Sequence, residues 1–162
     1  MEIKGCSFTG HGKIREEHRG KIADLVARAV AYAYSKGCRS FYTGGAVGFD
    51  TVAAREVLRF RISHPDVRLV LLLPCVDQDK YWSPAQRSSY EYVLSVADEV
   101  VYVEEEYTDG CIKERNMLLA EKADIIIAYV GRYRSGAAQT VRMAESLGKE
   151  VYNLYPALDK DG

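Results

Sequence analysis

The sequence predicts a Rossmann-like α/β fold, a three-layer sandwich in which a mostly parallel sheet of about six strands lies between layers of helices. Two observations support this prediction. Six short apolar runs of strand length recur along the 162 residues, and the segments between them repeat their apolar residues at intervals of three and four, as amphipathic helices do. Several runs are apolar on both faces, which is typical of strands that helices cover on both sides.

The predicted strands and helices alternate along the whole chain. The strands cover residues 3–8, 40–43, 69–73, 100–103, 125–130 and 151–154. The first helix begins near Ile22 and ends at Gly37, a typical C′ glycine. Four more helices cover residues 48–62, 84–97, 109–122 and 136–147. His64-Pro65 ends the first of these four and Gly148 ends the last, because a residue before proline avoids helical geometry and glycine favours helix ends.

We expect a single domain over residues 1–156, followed by a flexible tail at 157–162, because no linker or repeat interrupts the pattern. Hydrophobic residues make up 48% and charged residues 28% of the chain, which is typical of a globular protein. The longest apolar stretch, from Val67, is too short for a membrane span. The N-terminus lacks the apolar segment of a signal peptide, so we expect a cytoplasmic protein with no membrane partner.

Cysteine, histidine and charge patterns suggest what the protein does not bind. The four cysteines (Cys6, Cys38, Cys75 and Cys111) are far apart, and we expect free thiols without a disulfide. The histidines show no metal-ligand spacing, so we expect neither a metal nor a cofactor. The formal net charge is −1, which provides no global attraction for polyanions. We therefore do not expect nucleic acid to be a partner.

Two helix starts carry small residues at the carboxyl end of a strand. One is TGGAVGFD at residues 43–50, and the other is SGAAQT at residues 135–140, where Ser135 is a candidate N-cap and Arg132 is near. Glycine permits positive φ and close approach to the backbone, and a helix N-terminus favours an anion such as phosphate. The GGxxG spacing of the first start matches neither the dinucleotide nor the P-loop fingerprint. Packing alone is an alternative, with a tight turn at Gly44-Gly45 and close helix contact at Gly48.

Three further segments supply candidate ligand contacts. FTGHGK, residues 8–13, follows the first predicted strand. Residues 77–82 contain polar and aromatic side chains where a base or ribose could lie, although Trp82 could equally serve packing. Arg115 and Asn116 fall in the first turns of a predicted helix, where the helix dipole disfavours arginine, so Arg115 needs a ligand phosphate or an acidic side chain as a partner.

Taken together, these motifs resemble the YpsA-like and YoqJ-like proteins of the SLOG superfamily, a Rossmann-like group that includes DNA-processing protein A (DprA) and the LOG phosphoribohydrolases. The resemblance covers nearly the whole chain. Its motifs are FTGH at 8–11, YTGGAVGFDTVAA at 42–54, the trio Pro74, Gln78 and Trp82, the predicted helix at 90–97 that leads into ADEVVYV, the trio Cys111, Arg115 and Asn116, and SGAAQTVRMA at 135–144.

The resemblance implies a pocket for a nucleotide or nucleotide derivative and self-association as a dimer or tetramer. Two departures affect positions that would face an anion. This chain has Gly12-Lys13 where the family usually has Arg-Pro, and residues 135–138 read SGAA where the family usually reads GGTA. The identity of the ligand therefore does not carry over from the family.

We expect a non-catalytic protein that binds a nucleotide-derived small molecule, an ADP-ribose-like or cyclic nucleotide signal, for sensing or sequestration. Related domains occur in prophages and bacterial conflict systems, which makes sequestration credible by analogy. The expected ligand-binding residues are Thr9, Gly10, His11, Thr43, Gly44, Gly45, Gly48, Asp50, Gln78, Trp82, Arg115, Asn116, Arg132, Ser135, Gly136, Gln139 and Thr140.

The alternative is an N-glycoside or phosphoribosyl hydrolase, with Asp50, Asp77 or Glu114 polarising water. LOG enzymes use a PGGxGTxxE motif whose glutamate supports catalysis. The corresponding segment here contains Gln139 and Thr140 and no carboxylate before Glu145, so the hydrolase hypothesis lacks its main residue. A third hypothesis, single-stranded nucleic-acid binding by analogy with DprA, is disfavoured by the net charge.

Overall fold

A computed structural model describes residues 4–159 of the protein. Its strands are β1 (Lys4–Gly10), β2 (Cys38–Thr43), β3 (Arg68–Leu73), β4 (Glu99–Tyr102), β5 (Ile125–Tyr129) and β6 (Glu150–Asn153). Its helices are α1 (Ile22–Ser35), α2 (Phe49–Ser63), α3 (Pro84–Val96), α4 (Cys111–Lys122), α5 (Gly136–Ser146) and α6 (Tyr155–Asp159), with a 3-10 helix at Glu16–His18. The six strands pair in parallel in the order β4-β3-β2-β1-β5-β6, which confirms the predicted Rossmann-like α/β class.

The sheet separates two apolar layers because alternate side chains of a strand point to opposite faces. Phe8 of β1 packs in a core that includes apolar residues of α1, α2, α3 and α6. Ser7, its neighbour, donates a hydrogen bond to the Leu119 carbonyl of α4 on the other face. Smaller clusters built on Leu119 and Ala144 bury the faces of α4 and α5. The helices thus cover both faces, as the apolar strands require.

The order of the strands creates a crevice at one edge of the sheet. From β1 the chain proceeds to β2, β3 and β4 on one side, whereas β5 and β6 pair on the other side. The loops that leave β1 and β5 therefore diverge to opposite faces. Such a topological switch point, at the carboxyl ends of the strands, is where ligands bind in open α/β sheets.

Helix α6 occupies part of the segment predicted as a flexible tail. Leu158 is buried in the main core, and Asp159 Oδ1 lies 2.8 Å from Nε2 of His18. These tertiary contacts order residues 157–159, whereas residue 3 of the first predicted strand and residues 160–162 of the predicted tail lie outside the described residues. Within residues 4–159, no helix is both long and apolar enough to cross a bilayer.

Candidate functional site at the switch point

A cavity of about 190 Å³ lies at the switch point, between the loops after β1 and β5 and the first turns of α2, α4 and α5. Several residues predicted as ligand contacts from sequence line this cavity, namely Thr9, Gly10, His11, Asp50, Arg115, Asn116, Arg132, Ser135 and Gly136. The two helix starts singled out from sequence meet here, since Ala46 and Asp50 come from one and Ser135 and Gly136 from the other.

The remaining predicted contacts lie outside the cavity. Gln78 donates to the Gly45 carbonyl over 3.3 Å, and Trp82 packs edge-on against Tyr90 with ring centroids 5.0 Å apart. Gln78 therefore supports the turn before α2. Trp82 packs against Tyr90, as the packing alternative for Trp82 describes. Gln139 lies in the first turns of α5, and the buried Thr140 bonds its own helix through the Gly136 carbonyl.

Arg115 is the buried cation of the cavity. Its side chain is 8% exposed, its Nη1 donates to the Gly44 carbonyl over 2.6 Å, and its Nε donates to Asn116 Oδ1 over 2.9 Å. Burial lowers the pKa of Arg115, and the negative charge of Asp50 partly offsets this effect. A buried charge needs a compensating partner. Asp50 supplies the negative charge, and an acidic side chain is one of the two partners expected for Arg115 from the sequence.

Asp50 is the one carboxylate among the residues that line the cavity. Burial raises its pKa to about 6, against the opposing effects of Arg115 and of backbone hydrogen bonds from Ala46 and Gly44. Its Oδ2 accepts the Ala46 amide over 3.1 Å. Its Oδ1 has no hydrogen-bond partner among residues 4–159. An unpaired buried carboxylate oxygen is costly, so this group is available to a ligand or a proton.

Further unpaired oxygens belong to residues that line a small void behind the cavity. Asp50, Thr43 and Tyr90 all border it, and its volume is about 10 Å³. The hydroxyls of Thr43 and Tyr90 are buried without a hydrogen-bond partner in the described part of the chain. A void of this size is close to the minimum that holds one water molecule. Thr43 and Gly45, both predicted as ligand contacts, thus border this inner void instead of the cavity.

His11 forms part of the cavity rim and is held as the neutral imidazole. Its Nε2 accepts the Gly131 amide over 2.8 Å, and Nδ1 lies 3.5 Å from Nη2 of Arg132. Burial lowers the pKa of His11, and the charge of Arg132 lowers it further. His11 therefore joins the loop after β1 to the loop after β5, because its ring accepts a hydrogen bond across the crevice.

The start of α5 presents backbone donors to the cavity. Ser135 is the N-cap, and its Oγ accepts the Ala138 amide over 3.0 Å. The Gln139 amide bonds the Ser135 carbonyl. The first two amides of a helix have no intrahelical acceptor, and Gly136 and Ala137, which carry these amides in α5, line the cavity. This helix end combines free donors with the positive end of the helix dipole.

The start of α2 is closely packed instead. Gly48 has φ of +82°, and a Cβ at this position would collide with the backbone of Gly12. Gly45 has φ of +66°, and a Cβ there would collide with Leu73. The Phe49 amide donates to the His11 carbonyl. The glycines of this turn therefore permit close packing between segments, while the turn itself contributes Asp50 to the cavity.

The other carboxylates considered for hydrolysis lie elsewhere. Asp77 and Glu114 are exposed, and neither lines the cavity. Among residues 4–159, no group of three or more His, Cys, Asp or Glu side chains is arranged to hold a metal ion. The four cysteines are free and buried. Asp50 is thus the carboxylate on which any chemistry at this cavity would depend.

Sequence reasoning missed the apolar part of the wall and a polar cluster near it. Ile112 and Leu119 line the cavity, but nothing distinguishes them from ordinary helix residues in sequence. The fully buried His18 lies 2.7 Å from the Tyr129 hydroxyl and 2.8 Å from Asp159. These partners are more than a hundred residues away along the chain, so no local pattern could have revealed the cluster.

The sheet order and the polar cavity define a doubly wound α/β protein with a candidate binding site at its switch point. The model of the YspA SLOG family matches residues 13–155, and the chain belongs to this family, which confirms the resemblance seen in the sequence. The chain is 27% identical over 158 residues to the uncharacterized SPbeta prophage-derived protein YoqJ of Bacillus subtilis, covering 89% of this chain and 88% of that protein. A UPF0398 protein of Bacillus thuringiensis is 24% identical, with 94% of this chain and 88% of that protein covered.

Two DprA structures share the fold. The Streptococcus pneumoniae protein superposes with a TM-score of 0.66 at 15% identity, over 93% of this chain and 50% of that one. The Helicobacter pylori protein, whose structure is described for its single-stranded DNA binding mode, superposes with a TM-score of 0.63 at 18% identity, over 91% of this chain and 63% of that one. This chain therefore corresponds to only part of each DprA chain.

The expectation that nucleic acid is not a partner is wrong as an exclusion, because a protein that binds single-stranded DNA has this fold. The expectation rested on the net charge of the whole chain. Local charge decides such contacts instead. One cleft beside the cavity is lined by Lys13, Arg19 and Arg55, and no acidic residue in the described range 4–159 lines it. Net charge therefore does not rule out contact with a phosphate backbone.

Proposed function

We propose that the protein binds a nucleotide-derived small molecule, an ADP-ribose-like or cyclic nucleotide signal, at the switch-point cavity without catalysing a reaction. The observation that supports this proposal is the buried guanidinium of Arg115, which faces the same small cavity as the free amides at the start of α5. A buried cation and helix-end amides together favour an anionic group.

The size of the cavity limits what it can hold. Pockets for whole ligands usually enclose about 300–1,000 Å³, whereas this cavity encloses about 190 Å³. It therefore suits one phosphate, with or without its ribose. The rest of a nucleotide would extend into a cleft of about 660 Å³ that shares Arg132 with the cavity.

That neighbouring cleft offers a surface for a base. Tyr133 is 77% exposed, and the Arg142 guanidinium lies 4.6 Å from the centre of its ring. Tyr155, which is half-buried, also lines this cleft. Exposed aromatic rings supported by arginine are suitable platforms for stacking a base. We assign the base contact to these tyrosines instead of Trp82, which packs against Tyr90.

Sensing or sequestration requires that the ligand leave unchanged. The relative YoqJ is prophage-derived, which is compatible with capture of a host signal. Incubation of the protein with AMP, ADP-ribose and cyclic nucleotides, followed by heat denaturation and chromatography, tests this point. We expect each bound ligand to be recovered intact, and recovery of free base would contradict binding without catalysis.

Hydrolysis of an N-glycosidic bond is the second candidate, and Asp50 favours it. A buried carboxylate with a pKa of about 6 is ionised at neutral pH and basic enough to accept a proton from water. Hydrolysis would then slow as the pH falls below 6, because Asp50 becomes protonated. Asp50→Asn would abolish that activity.

Binding without catalysis predicts the opposite dependence on pH. Protonation of Asp50 removes a negative charge from the cavity, so the affinity for an anion should rise by at least about fivefold between about pH 8 and pH 5. ADP-ribose is a suitable probe because its diphosphate does not titrate in this range. Calorimetric titration of wild type and Asp50→Asn measures the effect, and we expect the variant to bind tightly at both pH values with a smaller dependence. His11 also gains charge at low pH. The pH dependence of affinity that remains in Asp50→Asn measures the contribution of His11.

A further inference from the structure

A second cleft opens beside the switch-point cavity, between α2 and α3. It encloses about 600 Å³, and its wall includes the side chains of Lys13, Arg19 and Arg55. Among residues 4–159, no aspartate or glutamate lines it, whereas Glu145 and Asp159 accompany the two arginines of the 660 Å³ cleft that contains Tyr133. In a chain of net charge −1, three cations without a carboxylate form a local positive field.

Backbone dipoles strengthen this field. The first turns of α2 and α3 both contribute to the wall, through Gly48 and Thr51 and through Ala85 and Gln86. A helix start carries about half a positive charge. Neither helix has an acidic side chain in its first turn at this wall, because Asp50 of α2 faces the cavity instead.

The floor of the cleft is aliphatic, with Ile14, Ile22, Val47 and Val52 among its residues. A cationic rim above an apolar floor suits a phosphate that carries a sugar or a base more than it suits a free inorganic ion. The cleft adjoins the cavity directly, since Gly12 lines both.

We propose that this cleft holds a second phosphate-bearing unit of the same ligand, so that the ligand has at least two phosphate groups. One lies in the switch-point cavity and the other lies between Lys13, Arg19 and Arg55. This inference rests on the proposed function for the first phosphate. Both a nucleoside diphosphate derivative and a single-stranded oligonucleotide have the required chemistry.

The test compares AMP, ADP-ribose and a short 5′-phosphorylated thymidine oligonucleotide by calorimetric titration at one ionic strength. The variant is the double substitution Lys13→Gln and Arg55→Gln. The control is Lys113→Gln and Arg59→Gln, which removes the same charge from exposed positions outside the cleft, with Arg59 one turn along α2 from Arg55. All four side chains are exposed, and the one ion pair that the control removes, between Arg59 and Glu56, is long at 3.9 Å, so we expect both variants to fold.

We expect a ligand with several phosphates to bind wild type about tenfold more tightly than AMP, and we expect the double variant but not the control to lose this gain. AMP should bind all three proteins equally. A larger gain for ADP-ribose identifies a small-molecule ligand, and a larger gain for the oligonucleotide identifies a nucleic acid. An equal gain in wild type and the double variant overturns the second subsite while leaving the proposed function intact.

Failure of every nucleotide to bind wild type would overturn the proposed function. In that case, binding of inorganic tripolyphosphate tests the cleft, because this ion needs only the cations of the cleft as partners. Binding that the double variant loses and the control retains supports an anion site in the cleft. Absence of binding, or equal binding by both variants, overturns that site as well.

Discussion

The two glycine-bearing helix starts look alike in sequence but have different roles in the structure. Before α2, Gly45 and Gly48 have positive φ and pack against Leu73 and Gly12. Before α5, the nearest neighbour of a Cβ at Gly136 would be Asn116 Nδ2 at 3.6 Å, which is an ordinary contact. Glycine is required sterically at the first start, whereas at the second it leaves backbone amides accessible at the cavity.

Hydrogen bonds distinguish the two starts in the same way. The Ala46 and Phe49 amides of the first are bonded within the protein, to Asp50 and to the His11 carbonyl. The second has a serine cap that satisfies the Ala138 amide, and Gly136 and Ala137, which carry the first two amides, line the cavity. A glycine-rich helix start therefore indicates either close packing or a ligand site, and the partners of its amides decide which.

Gly48→Ala, which tests the packing role of the first start, should have one of the two largest effects. Alanine at position 48 would have to adopt a φ of +82°, and its Cβ would collide with the Gly12 backbone. The substitution should therefore lower the free energy of unfolding by about 3 kcal/mol. Urea denaturation measures the change, with Gly136→Ala as the matched control. We expect the control to change stability by less than about 1 kcal/mol. Equal losses of stability in Gly48→Ala and Gly136→Ala would contradict the steric difference between the two helix starts.

Arg115→Met tests the opposite charges of Arg115 and Asp50, which lie at the cavity wall beside the first start. Loss of the guanidinium leaves Asp50 without its cation and the Gly44 carbonyl without its donor, so stability should fall by about 3 kcal/mol at pH 7. Because protonation removes the uncompensated charge of Asp50, the loss should be smaller at about pH 5. Asp50→Asn in the same protein should restore part of the stability, and additive losses in the double variant would argue against coupling.

Ser135→Ala should have the smallest effect, because it removes only the cap of α5. We expect a loss of about 1 kcal/mol in thermal or urea unfolding. Ser95→Ala is the control, since Ser95 is an exposed serine inside α3 that bonds its own helix, and it should change stability by less than about 0.5 kcal/mol. A loss equal to that of the control would show that the α5 start does not depend on its cap.

Periodicity was sufficient to predict the six strands and the five long helices, because the sequence of each contains an apolar run or a regular apolar repeat. The 3-10 helix at Glu16–His18 and helix α6 lack such a face. Contacts made by His18 with Tyr129 and Asp159 hold them in place, and these contacts exist only in the folded chain. Short elements of this kind depend on tertiary partners and leave no periodic signal.

The candidate site was predictable in its location but not in its detail. The loops after parallel strands meet at one edge, so Thr9, Asp50 and Ser135 could be placed together from sequence. Whether a glycine faces the cavity or the core depends on its φ and its neighbours, which is why Gly45 was expected at the ligand but lies against Leu73. The pKa of Asp50 likewise depends on burial, which motifs do not reveal.

Strand β1 lies near the middle of the sheet and bonds to β2 on one side and to β5 on the other. Its amides should therefore exchange with deuterium only through the slowest opening of the domain. The loop that carries His11 leaves this strand directly, so the rim of the cavity is anchored to the least mobile part of the protein. The β1 side of the cavity is therefore preformed. The association rate of a ligand should not be limited by rearrangement of that side.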